Sequence, residues 1–440
     1  MSLYRPDASI SSRSAPRPIA CAAWHSLFWL VFANAIGVLL SVLLLVPSLN
    51  RFLGEWTYGR WIMVHMNLEL YGWTSLPMVG FLFKVYRAER GALAGWCRPI
   101  LWVWSAALGV GAYSWISGHS SGKLFLDWSG FARILFPLAM LSLWLLLAVA
   151  FAREWGTVAL LARGAKIIGL LFLLFVPFVM FIASGPNYYP AINPDTGGPT
   201  GASQLESSLM IVAILLLLPY GLTRRKAGRT PIIAASWVVL AAELLLCIAL
   251  GRGDISHHHP AQFLSLGSLL AWIPLTPAYY AAFTWNEDTR LWRIAFMIWW
   301  SAVILFGWIF FLPGILDHFK FTDGLVGHSL LAMAGFTSSL LIFALVQLLG
   351  DEGWIFNRTR SFYGWNIAVA GYVVVMTIAG WHEGFDPAFT IIPGAERNTL
   401  YILRLIAGVV MLASSADWLI DATMLLHKPS FISTKQEVIA

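Results

Sequence analysis

The sequence predicts an all-α membrane protein of twelve transmembrane helices. Three observations carry this: the composition, the spacing of the apolar runs, and the alternation of basic residues between successive loops. Of 440 residues, 59% are hydrophobic and only 11% are charged. That is too little charge to cover the surface of a soluble chain of this length. The 23 tryptophans suit rings placed at membrane–water interfaces. The formal charge of +6 comes from Lys and Arg in short loops between apolar runs. It reads as a topology signal and not as a nucleic-acid surface. Cys21, Cys97 and Cys247 show no CxxC spacing, which argues against a disulfide framework or a thiolate metal site.

A helix needs ~20 apolar residues to cross the hydrocarbon. The candidate spans are 22–48, 61–84, 99–117, 133–152, 167–184, 205–222, 231–250, 261–284, 294–312, 325–349, 363–381 and 399–426. The first apolar run is too long for a signal-peptide core and reads as a membrane helix. The chain divides into an N-terminal tail (1–21), a membrane domain (22–426) and a C-terminal tail (427–440). The longest loop, Gly185 to Gln204, is rich in Gly and Pro and has no basic residue. No soluble domain or low-complexity tract interrupts the pattern.

Orientation follows from Lys and Arg. With the N-terminus in the cytoplasm, the inner segments hold 20 of the 28 basic residues. These include Lys84 to Arg98, Arg153 to Lys166, Arg224 to Arg229, Arg290 and Arg293, and Arg358 and Arg360. The alternation holds at every loop, so both termini are expected inside a bacterial-type inner membrane. Eight of the ten histidines then fall on the outer side, His25 and His427 being the exceptions. Imidazole near a membrane is the usual ligand for haem iron and for copper. His65 and His328 lie within apolar helices, where a polar group is costly and often functional. His257, His258 and His259 form a triplet that reads either as a ligand group or as a solvated loop. His119, His318 and His382 read as loop or interface residues.

Tyr58-Gly59-Arg60-Trp61-Ile62-Met63-Val64-His65 resembles the G-R-x-x-x-x-H stretch of haem–copper oxidase subunit I, especially cbb-type cytochrome c oxidases and nitric oxide reductases. Phe321-Thr322-Asp323-Gly324-Leu325-Val326-Gly327-His328 is similar to the family's T-D-x-x-x-G-H-x-H opening of its tenth helix. His257 and His258, the run from Gln262 to Pro274, Gly380 to Gly384, and Tyr401 to Arg404 match further stretches in order. The resemblance implies a twelve-helix subunit-I bundle with haem in its outer half. His65 would ligate a low-spin b-type haem, His328 a high-spin haem, and His257 and His258 copper or another metal. Arg60 and Arg404 would face haem propionates, unless they are anchors at the membrane ends. Gly327 would let a planar ring approach His328. Electrons would come from a c-type cytochrome or a haem-bearing subunit on the outer face.

The departures are specific. Leu330 stands where the family has its second helix-10 histidine, the partner of His65. The sixth span has no His for copper, and 231–251 has no Tyr. Met333 lies about one turn beyond Leu330. It could supply the missing ligand, or simply pack. Glu69, Glu206 and Glu243 could relay protons or be hydrogen-bonded acids at helix contacts. The expectation is a haem-containing respiratory protein resembling an oxidase or nitric oxide reductase, with an incomplete ligand set. The alternatives are a non-catalytic paralogue acting as a haem-binding or partner subunit, and a secondary transporter.

Overall fold

The computed structural model describes residues 16–427, almost all of them helical. In chain order the long helices are α1 (Arg17–Leu45), α2 (58–85), α3 (Gly91–Ile116), α4 (Ala132–Thr157), α5 (Leu160–Ala183), α6 (Gly201–Leu222), α7 (Thr230–Leu250), α8 (260–281), α9 (Glu287–Phe310), α10 (Asp323–Phe356), α11 (Thr359–Phe385) and α12 (Ala395–His427). All except α2 and α8 are long and apolar enough to cross a membrane, ten such helices among the described residues. The chain is therefore an all-α, multi-pass membrane protein. Most of both expected tails, 1–15 and 428–440, lies outside the described residues.

α1 begins at Arg17, five residues ahead of the expected span, with Pro18 in its first turn. Proline suits that position because its missing N–H would have no helical partner there. The two weakly apolar helices also carry the irregular backbone. α2 contains a π-turn at Glu69–Thr74, and α8 passes through a 3-10 segment at Gly267–Ala271. α10 has a second π-turn at Leu331–Thr337. In both α2 and α10 the π-turn begins just after a candidate ligand, His65 or His328. Such insertions are frequent at functional sites.

The interior has two apolar cores. One joins α1 to α2, α3, α4 and α5, with Trp104, Trp115, Trp128 and Phe136 at its centre. The other joins the opposite face of α1 to α6 through α12. Small residues set the closest approaches. A Cβ on Gly380 would lie 2.2 Å from the Gly324 nitrogen, so α10 and α11 cross nearly backbone to backbone. A Cβ on Gly327 would meet Met376 Cβ at 3.1 Å. Gly327 is thus taken up by the α10–α11 crossing and does not clear space for a ring beside His328, as the sequence suggested.

The loops gather into two sets. Arg87 pairs with Glu154 at 3.1 Å, Lys226 Nζ donates to the Ala281 carbonyl at 3.1 Å, and Asn357 donates to the Asp288 carbonyl at 2.9 Å. At the other end the Ile192 amide donates to Asp254, Lys320 reaches the Asp195 carbonyl, and the Asp323 amide donates to Glu383. These sets match the loops that the basic residues assign to the inner and outer sides.

Candidate functional site

The end of the second core near Asp195 and Lys320 holds a partly open cavity of about 420 Å³ between α6, α8, α9 and α10. Its walls include Trp300, Trp308, Phe310, Phe311 and Phe336. His328 lies on this wall. Its ring is nearly parallel to Phe306, with centroids 5.9 Å apart, and faces Gly307, where a Cβ would stand 3.1 Å from His328 Cε1. The glycine next to His328 in space is therefore on α9, a position with no sequence signal. His328 Nδ1 is buried and has no hydrogen-bond partner. Leaving a buried polar atom unpaired costs about 1–3 kcal/mol, and an orphan in a native core calls for an explanation.

Met333 lines the same cavity as His328. The π-turn that starts at Leu331 accounts for this. Added to an α-helix, it shifts the residues after it around the axis, so Met333 no longer follows the face that a regular helix would give it. Just outside α10, Phe321 has a φ of 63°, a left-handed conformation uncommon for a bulky side chain. It sits at the cavity's outer rim.

His65 is placed differently. It packs on α1, with Nδ1 2.8 Å from the Ala33 carbonyl oxygen. A carbonyl can only accept, so Nδ1 carries the proton and a neutral ring keeps its lone pair on Nε2. That is the arrangement of a histidine prepared to bind a metal through Nε2. Gly37 lies against the ring, 3.0 Å from Cε1 for an added Cβ. His65 and His328 thus share a pattern, each facing a glycine on a neighbouring helix and each preceding a π-turn. His65 packs on Ala33 of the first core and is not among the residues lining the His328 cavity.

The two arginines sit at the outer ends. Arg60 donates to the Ile116 carbonyl at 3.3 Å and lies 3.5 Å from Glu55. Arg404 is buried, 3.5 Å from Asp323, with Tyr372 and Tyr401 rings beside the guanidinium. Its Nε has no partner, so this cation has one donor uncommitted. Tyr401 donates to Asp323 at 2.8 Å.

His257 and His258 form a separate group at the outer surface. Their rings lie 4.1 Å apart, between two carboxylates. Asp195 Oδ2 is 3.4 Å from His257 Nδ1 and 3.3 Å from His258 Nδ1. Asp317 places Oδ1 3.2 Å from His257 Nε2 and Oδ2 3.0 Å from His258 Nε2. His257 is fully buried and His258 about half exposed. The Asn193 amide is oriented by the Asp195 N–H, which donates to its Oδ1. Its Nδ2 therefore donates to His257 Nδ1 at 3.0 Å. Hydrogen bonds from the Ser256 hydroxyl and from His258 hold the Asp195 carboxyl below its ordinary range. Partial burial raises the Asp317 carboxyl, but the bond from the Gly314 N–H and the nearby His257 and His258 rings outweigh it and leave the group lowered. Asp195 and Asp317 were not identifiable from the sequence, because neither stands in a motif with the histidines. Phe311 lines the cavity and also contacts the His257 ring, with centroids 6.2 Å apart. Neither histidine of the pair lines the cavity.

The remaining candidates have ordinary partners. His259 caps the start of α8 through the Ala261 amide. His318 lies 3.0 Å from the Trp381 carbonyl, and His382 2.9 Å from Glu396. His119 is bound through its backbone to Ser114. Glu206 pairs with Arg252 at 2.6 Å on the surface, whereas Glu243 accepts from Trp272 Nε1 at 2.6 Å in the interior. No protein-family model matches the chain, and no curated protein sequence matches it.

Proposed function

We propose that this chain is a haem-binding respiratory membrane protein of the haem–copper oxidase subunit I type, with one haem site and no complete oxygen-reducing centre. The observation that carries the reading is His328: a half-buried imidazole with a buried, unpartnered Nδ1 on the wall of an aromatic cavity of about 420 Å³. That volume falls within the ~300–1,000 Å³ usual for cofactor sites. His328 would be the axial ligand, with Met333 on the same cavity wall. Arg404 has a free donor beside Asp323 but does not line this cavity, so it would meet a cofactor carboxylate only where one reached past the start of α10. A haem bound there would supply one-electron chemistry. The flanking Trp and Phe rings would exclude water from the ligand.

Counting α2 and α8 as spans gives twelve helices, with both termini in the cytoplasm of a bacterial-type inner membrane. The basic-residue partition and the two sets of loop contacts support this topology. Electrons would come from a c-type cytochrome or haem-bearing subunit on the outer face. The ligand set argues for a divergent, partner-like member over a terminal oxidase. Leu330 cannot bind iron, α6 offers no imidazole, and Phe311 stands between His257 and the cavity. His65 has the right tautomer for a low-spin ligand but lacks its expected histidine partner.

The test is a visible spectrum and metal analysis of the purified chain. One b-type haem per chain is expected, lost in His328→Ala and retained in His257→Gln. A haem-free protein from haem-replete membranes would overturn the reading. Two haems and one copper per chain, with rapid oxygen consumption from a reduced c-type cytochrome, would overturn its second half.

A further inference from the structure

We infer that Asp195, His257 and His258 bind a divalent cation of the Zn²⁺ class, and that this ion clamps the 185–200 loop over the mouth of the His328 cavity. One ligand atom from each of the three residues lies within 4.8 Å of the others. The inner edges of this triangle are tighter, Asp195 Oδ2 standing 3.4 and 3.3 Å from the two Nδ1 atoms. Ligands ~2.05 Å from a tetrahedral zinc stand about 3.3 Å apart, so an ion fits this edge with little movement.

Asp317 supplies a second, independent part of the design. Its two oxygens reach the opposite nitrogen of each ring, 3.2 and 3.0 Å away. A metal-bound histidine commonly gives its other N–H to a carboxylate, which fixes the tautomer and aims the lone pair. Here one carboxylate stands opposite both rings, bonded to His258 Nε2 at 3.0 Å and only near His257 Nε2. His257 is fully buried, yet its Nε2 makes no well-formed hydrogen bond; the contact with Asp317 is off line. A buried ring held this loosely gains more from a ligand on its other nitrogen than a fully satisfied one would. The Asn193 amide now occupies His257 Nδ1 and must turn aside, leaving the remaining positions to water. Imidazole with carboxylate suits zinc, whereas copper(I) prefers softer donors.

The consequence lies in where Asp195 is placed. Thr196, Gly198 and Pro199 follow it directly and line the outer wall of the cavity. Lys320, three residues beyond Asp317, lines the same mouth and reaches the Asp195 carbonyl. An ion that binds Asp195 to the α7–α8 loop therefore pins the chain segment that closes the cavity. Its release would free that segment and admit small molecules to the His328 face.

The experiment uses the full-length protein in detergent, stripped with a chelator and titrated with Zn²⁺ alone. One Zn²⁺ per chain is expected, with affinity at least tenfold weaker in Asp195→Asn. His258→Gln serves as the second variant, since its ring is half exposed where that of His257 is buried, and should weaken binding to the same degree. Zn²⁺ should also slow hydrogen exchange of the amides from Asp195 to Gly198 at least tenfold. No uptake, or uptake unchanged in both variants, would overturn the site. Uptake without slowed exchange would overturn the clamp. The titration needs no haem, so its failure would leave the reading of His328 standing, and a haem-free protein would leave this one testable.

Discussion

His328 and the His257–His258 pair lie at the same end of the molecule, with Phe311 lining the His328 cavity and touching the His257 ring, yet their surroundings are opposite. The pair is surrounded by polar groups, two carboxylates and an amide for two rings. His328 has apolar rings around it and a nitrogen with no partner. Carboxylates make an imidazole a good host for a cation and tie loops together. An isolated imidazole in an apolar cavity has only the cavity's occupant to bind. The difference favours two separate sites over the neighbouring haem and copper ligands that the resemblance implied for these histidines.

The most direct way to break this division is to remove each imidazole. His328→Ala should lower bound haem more than tenfold, read from the haem absorbance per chain, while His257→Gln should leave it within twofold. Equal losses would mean that the sites act as one centre. The next largest effect should come from Gly307→Val, which puts branched carbons where one Cβ would already lie 3.1 Å from His328 Cε1. Haem content should fall severalfold without loss of folded protein by size-exclusion chromatography. A normal spectrum would show that the ring is free to turn away.

A third measurement sharpens the outer half. Both carboxyls that flank the pair are lowered below their ordinary value of 3.8. A depressed folded-state pKa contributes stability above the unfolded value, and that stability is lost as pH falls through the folded one. Proteolytic nicking of the 185–200 loop in the metal-free protein should therefore be steady from about pH 7 to about pH 5. It should rise only below the ordinary carboxylate range, on acidification through the lowered values. A rise already between about pH 7 and about pH 5 would contradict control by these carboxyls. The smallest effect is expected for Glu206→Gln. A surface ion pair contributes about 0–1 kcal/mol, so thermal stability should barely move. A large loss of proton-coupled activity in this variant would restore Glu206 as a relay.

The legible part of the site was its histidines. His65 and His328 are visible because a polar residue inside an apolar run violates the pattern around it. Their environments were not visible. Gly37 and Gly307 become neighbours of the rings only when α1 packs on α2 and α9 on α10. Gly327, adjacent to His328 in sequence, is used instead for the α11 crossing. Met333 reached the cavity because a π-turn changes the count of residues per turn, and no residue type signals that insertion. Asp195 lies 62 positions before His257 and Asp317 lies 60 after it, separations that carry no periodicity.

By itself the sequence determined the all-helical membrane class, the approximate place of each long helix, with borders up to eight residues off, and which loops gather at a common end. These follow from hydrocarbon thickness and from the charge of short loops, which act along the chain one segment at a time. Only the tertiary structure decided which histidine faces a cavity and which is held between carboxylates. That choice depends on the rotation of each helix about its axis, and rotation is set by side chains packed across helices that are distant in the chain.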